Sequence, residues 1–236
     1  MARINKSQLT RIEIIQVATK KFLTNGYTAT SIKAISDELM MSTGNLTFYF
    51  PTKEHLLAAL VELLCEFQQR MMEEETEEGY SSLMALCLEL TAMASMCEKN
   101  EVIRDFYLAS YSSPMALQII RQNDAERAKV VFTDTCGHWT DEQFLEAETL
   151  VSGIEYATLM KTENSASLET RIAGALDHIM MIYGIPEETR KIKIEKVLKM
   201  DYISIGNKIF DKFIAFAEEA TEQAIESLLS VKRKAV

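Results

Sequence analysis

"MMSTGNLTFYF", residues 40–50, sets two methionines before a small polar cluster and a dense aromatic end. Leu46 and Phe50 stand four apart, the spacing of one buried helical face, and Ser42 is placed to cap the first turn. Thr43, Gly44 and Thr47 then fall together on the opposite side, with Asn45 at its edge. Gly44 carries no side chain, so this helix can bring its backbone close to whatever it faces. Pro51 breaks the pattern, and Thr52 is a candidate cap for the long stripe Leu56, Leu60, Leu63, Phe67 and Met71.

Upstream, Ile12, Ile15, Ala18 and Phe22 recur at spacings of three and four, and Asn25-Gly26 ends that helix with the residue best suited to a left-handed stop. A second stripe, Ile32, Ile35 and Leu39, opens at Thr30 or Ser31 and lasts about two turns. Three helices with a tight turn between the second and third have the layout of a helix-turn-helix unit. Such a unit demands a third helix that buries one face and offers small or hydrogen-bonding groups to base edges in a major groove. The sequence from Ser42 to Phe50 meets that demand.

The stretch from Thr10 to Leu57, above all "FLTNGYTATSI" and "STGNLTFYFPTKEHL", resembles the DNA-binding domain of the TetR family of bacterial transcriptional regulators. The resemblance implies an all-α chain, divided into a helix-turn-helix domain over residues 1–52 and a helical effector-binding and dimerisation domain over 53–236. It further implies a homodimeric repressor that binds palindromic double-stranded operator DNA and is released by a small-molecule effector, expected to be largely apolar. Site roles carried across in this way put Ser42 at the start of the reading helix, Thr43, Gly44 and Thr47 in the major groove, and Lys33 within reach of a base or phosphate. Asn45, Tyr49 and Lys53 become phosphate contacts, and Arg3, Lys6 and Arg11 lie near the flanking backbone.

The chain departs from the family pattern at two places. Met40 stands where a glycine is common, and Thr47 and Phe48 replace residues that are often aromatic and hydrogen-bonding, respectively. Phe48 cannot donate to a phosphate, so it packs inward or lies against sugar or a thymine methyl.

Charge supports the division. Residues 1–53 hold seven basic and three acidic side chains, a net +4 in a chain of net charge −10, which leaves −14 on the remainder. A basic end on an acidic body presents one face to a polyanion and repels it elsewhere. No apolar leader and no run of about 20 apolar residues is present, so a cytoplasmic protein without a membrane partner is expected. The four cysteines show no CxxC pairing and read as reduced, buried thiols. The three histidines stand in no catalytic or zinc-hydrolase pattern, so neither an enzyme nor a cofactor is expected; Cys136 and His138 alone make a weak metal signal.

Beyond Leu57, stripes at helical spacing continue. The acidic run Glu73 to Glu78 and Gly79 read as a helix end, Ser113-Pro114 as a helix start, and Thr140 to Gln143 as a capping box. The helix containing Phe144 to Ala157 and the next, Leu168 to Tyr183, are assigned by the resemblance to a four-helix dimer bundle. A further stripe, Ile209, Phe213, Phe216 and Ala220, either joins that interface or covers the effector site, and Lys232 to Lys234 read as a solvated tail. Met71, Met93, Met96, Phe106, Tyr107, Tyr111, Trp139, Tyr156 and Met160 lie on the helices that enclose the effector in the resembled family. Methionine and aromatic walls are adaptable, and Glu155 is a candidate for a cationic ligand. A DNA-binding protein without an effector, with a structural role or a protein partner, is the competing reading.

Overall fold

The computed structural model describes residues 6–75 and 82–233, with side chains placed over 7–68 and 82–223. Arg3, Gly79, Lys234 and the side chains of Lys6, Met71, Lys232 and Arg233 lie outside the described residues. Among the described residues every regular element is a helix. Helices α1 (Lys6–Asn25), α2 (Ile32–Glu38) and α3 (Thr43–Tyr49) make the head. Helix α4 (Lys53–Glu75) leaves it. The body adds α5 (Leu83–Lys99), α6 (Glu101–Ser112), α7 (Pro114–Val131), the short α8 (Thr133–Cys136), α9 (Asp141–Leu159), α10 (Leu168–Ile182), α11 (Glu187–Leu198) and α12 (Tyr202–Arg233).

Local chemistry explains most boundaries. Gly26, at φ +93°, stops α1, and the Ser31 hydroxyl accepts the Ala34 amide to start α2. Ser42 does the same for the Asn45 amide at the start of α3. Pro114 fills the first turn of α7, where its missing N–H costs nothing, and Thr140 and Gln143 close a capping box on α9. Thr52 differs from its expected capping role: its hydroxyl pairs with the His55 ring at 2.9 Å.

One apolar core runs from head to body. Ile14, Phe22, Ile35, Leu46 and Phe50 are buried in the head, and Leu57, Leu60, Leu64 and Phe67 continue the core along α4. Burying a side chain of this size contributes about 1.5–3 kcal/mol. In the body α5 is nearly all apolar and is central, packed on α6, α9, α10, α11 and α12.

Helix α12 lies on α5, α4 and, in the head, α1. Gly206 permits the approach to α5, because a Cβ there would sit 3.1 Å from the Ala92 carbonyl oxygen. Phe213 and Phe216 then pack their rings on Phe67 of α4, with centroids 5.3 and 5.5 Å away.

Candidate nucleic-acid interface and body cavities

The head exposes one side of α3. Leu46 and Phe50 are buried at its base, while Ser42, Thr43, Gly44, Asn45 and Phe48 face outward. An added Cβ at Gly44 would meet nothing within 4 Å, so the backbone is open to close approach there. Thr47 is half-buried and its hydroxyl donates to the Gly44 carbonyl at 3.2 Å. The Thr43 hydroxyl lies 3.3 Å from that of Ser36, which fixes α3 against α2. The Asn45 amide and the Tyr49 hydroxyl form no hydrogen bond with another described residue, so both remain available to an outside partner.

Phe48 does not pack inward. It is 79% exposed, edge-on to the Tyr49 ring at 5.3 Å. Met40 is 94% exposed and takes φ 51°, the left-handed conformation that glycine would adopt at lower cost. Its amide bonds the Asp37 carbonyl, and the Met41 amide bonds the Ser36 carbonyl, so the turn into α3 forms despite the residue type.

The basic groups differ in their freedom. Lys33 is exposed and pairs with Asp37 one turn on, at 2.8 Å, a contact that solvent screening makes weak. Arg11 lies over the Phe50 ring at 4.3 Å and donates to the Tyr49 carbonyl, at the C-terminal end of α3. Lys53 is committed to the protein itself. Its ammonium donates to the carbonyls of Tyr27 and Thr30, at 2.9 and 3.0 Å, and sits 4.1 Å from the Tyr27 ring centre. Burial lowers its pKa, and Asp105 opposes that shift. Two of its three donors therefore hold the turn between α1 and α2.

The body contains three adjoining cavities. The first is largely apolar, with Leu64, Phe67, Ala92, Met93, Met96, Tyr107, Ile209, Phe210 and Phe213 in its wall. The second and third are bordered by carboxylates; Glu89 lines all three, and Asp124 and Glu155 line both of the latter. Glu148 joins them in the second cavity and Tyr111 in the third. A fourth lies between α1 and α12 and is lined by residues that include Thr19, Leu23, Ile214 and Ala217.

Of the expected effector residues, Met93, Met96, Tyr107 and Tyr111 line these cavities, and Phe106, Trp139, Tyr156 and Met160 line none of the four. Phe106 is fully buried against Tyr107. Trp139 packs on Phe144 and Tyr183, and Met160 ends α9 with 42% exposure. These four are named for lying on the helices that enclose the effector in the resembled family, and such helices carry core residues as well as cavity-lining ones. The carboxylates Glu89, Asp124 and Glu148 were missed. Glu89 had a readable signal: it is a lone charge within the apolar run from Leu83 to Cys97.

All four cysteines are free, burial pushes the Cys97 thiol up to about 12, and that of Cys65 rises further. Among the described residues no three His, Cys, Asp or Glu side chains converge as metal ligands.

Two helices crossed by a tight turn, with a small-residue face on the second and a basic surround, make the head a helix-turn-helix DNA-binding domain. Residues 14–60 match the sequence model of the bacterial regulatory proteins of the tetR family. The chain thus carries a TetR-family DNA-binding domain and is a DNA-binding transcription regulator. No curated protein matches the sequence. Among solved structures, the chain is similar to the TetR family protein CprB from S. coelicolor A3(2), with 21% identity over 87% of this chain and 98% of that one, TM-score 0.40. A gamma-butyrolactone receptor (ArpA-like protein) gives 20% identity over 88% and 99%, TM-score 0.41. Salmonella enterica GusR gives 22% over 74% and 94%, TM-score 0.45.

Proposed function

We propose that this protein is a homodimeric, ligand-responsive repressor whose body cavities hold a small-molecule effector and whose α3 helices read the two halves of a palindromic operator. The observation that carries the reading is the path of α12. Ile209, Phe210 and Phe213 form part of the wall of the apolar cavity, and Ile214 and Ala217, on the following turns, face α1 of the head across the fourth cavity. A ligand that prefers one position of α12 shifts the head with it, and that differential preference is what a population shift requires.

Dimer formation has its own support. Leu150, Gly153, Ala157 and Met160 are exposed along α9, and Met181 is exposed on α10. Gly153 and Gly174 have nothing within 4 Å of an added Cβ, so two copies can approach closely there. In this reading Thr43, Gly44 and Thr47 meet base edges, Phe48 meets a thymine methyl or sugar, and Asn45, Tyr49 and Lys33 meet phosphates. Lys53 contributes its charge and one remaining donor.

A thermal-shift screen of apolar, cationic and anionic compounds, repeated by anisotropy with operator DNA, tests the proposal. The repressor reading expects compounds that stabilise the protein and lower operator affinity together. Tight ligands that leave operator affinity unchanged would favour a DNA-binding protein without effector control.

A further inference from the structure

Ligand class is the open property of the cavities, and it rests on the effector reading above. The apolar cavity and the third cavity share Leu64, Gln68, Glu89, Met93 and Tyr107, so the two adjoin, and an elongated molecule that parts these side chains would occupy both. Its apolar part would meet Phe67, Met96 and Phe213, and its other end would come among Glu89, Asp124 and Glu155. We infer that the effector is an organic cation with an apolar body, its charge lying between Asp124 and Glu155 and its hydrophobic part against α4, α5 and α12.

The neighbouring charges decide the sign. Glu89 pairs with Arg127, which balances one carboxylate. Arg121 donates to the Ser152 hydroxyl at 2.9 Å and lies near Glu148. Glu155 accepts from the Tyr111 hydroxyl at 2.8 Å, and Glu148 accepts from Tyr183. Asp124, with the Asn123 amide at 3.0 Å, adds a further carboxyl on the same wall. Four carboxyls stand against two guanidiniums, so once the carboxyls are ionised this wall carries excess negative charge, which an organic cation offsets and an anionic ligand would face at close range. A monatomic cation fits poorly, because no three of these groups converge as metal ligands. A diffuse organic cation needs no such convergence, and the Tyr107 and Tyr111 side chains can add cation–π attraction.

Without a cation these acids retain protons. Burial, reinforced by mutual repulsion, pushes Asp124 up to about 7 and Glu148 up to about 8, and holds Glu155 well above the usual carboxylate range. Cation binding therefore displaces protons, and affinity rises with pH through this range.

Isothermal titration with 4-phenylbutyl-trimethylammonium, its neutral carbon isostere and 5-phenylpentanoate, at pH 6 and pH 8.5, tests the inference. The cation is expected to bind at least about tenfold more tightly than either analogue at pH 8.5. That preference should shrink at pH 6 and in the full-length Asp124→Asn and Glu155→Gln variants, each checked for folding by circular dichroism. An equal or better affinity for the neutral compound or the anion would overturn the cation assignment, and so would failure of the cation to bind. The effector reading is separately scored: a cation that binds as expected but leaves operator affinity unchanged would sink that reading alone.

Discussion

Asp105, on α6 of the body, accepts both the backbone N–H of Thr28, at 2.7 Å, and the Thr28 hydroxyl. Thr28 belongs to the turn between α1 and α2, and the same turn is held from the other side by Lys53 of α4. The head is thus tied to the body through a loop as well as through α12. Asp105→Ala removes two charge-assisted bonds, each of about 1.5–3 kcal/mol at most. We expect a lower melting temperature and altered operator affinity, with Asp105→Asn intermediate because its amide oxygen still accepts. Anisotropy titrations of the folded variants check this, and wild-type operator affinity in Asp105→Ala would show that the latch is irrelevant to DNA binding.

Met40 holds a left-handed conformation with its side chain almost wholly in solvent. Replacing it with glycine removes backbone strain of about 1–2 kcal/mol while losing little packing. The melting temperature of Met40→Gly should rise by about 2–4 °C per kcal/mol recovered. Calorimetry measures the shift directly, and a lower melting temperature would mean that Met40 makes a contact its exposure does not suggest.

Lys33 and Lys53 are expected to separate. Lys33 is exposed, so Lys33→Ala should lower the salt dependence of operator binding by about one ion's worth. Lys53 donates to two carbonyls of the head, so Lys53→Met should chiefly reduce thermal stability and change the salt slope less. Titrations at several salt concentrations distinguish the two, and a larger slope change for Lys53 would restore it as a principal phosphate contact.

The buried acids predict how stability varies with pH. Asp124 and Glu148 have pKa values raised to about 7 and about 8 in the folded protein, above those of an unfolded carboxyl near 4. The stability they contribute is complete below the unfolded pKa and is lost as pH rises through 7 to 8. Melting temperature should therefore fall between pH 5 and pH 9. Glu148→Gln should flatten that fall and melt higher at pH 8, by about 2–4 °C for each kcal/mol of relieved burial cost. Calorimetry across the range provides the check; an unchanged slope in the variant would remove Glu148 from the explanation.

Sequence periodicity located the helices well because capping chemistry is local: Ser31, Ser42 and Thr140 each act on an amide three residues away. The outward set on α3 was legible for the same reason, since Leu46 and Phe50 fix the rotation of a short helix. The cavities were not. Asp124 on α7, Glu155 on α9 and Glu89 on α5 converge only through packing between helices distant in sequence. Lys53 likewise reads from the sequence as a phosphate contact, and only the return of Tyr27 and Thr30 to the start of α4 shows that the protein itself engages it.

Selection of bound sequences from a random duplex pool by the full-length protein reads out the DNA specificity of α3. An inverted repeat is expected to be enriched, with Thr43→Ala changing the preferred bases within each half-site while the spacing between half-sites stays the same. Absence of any enriched sequence, or a preference indifferent to Thr43, Gly44 and Phe48 substitutions in folded protein, would contradict the assignment of this face of α3 to operator DNA.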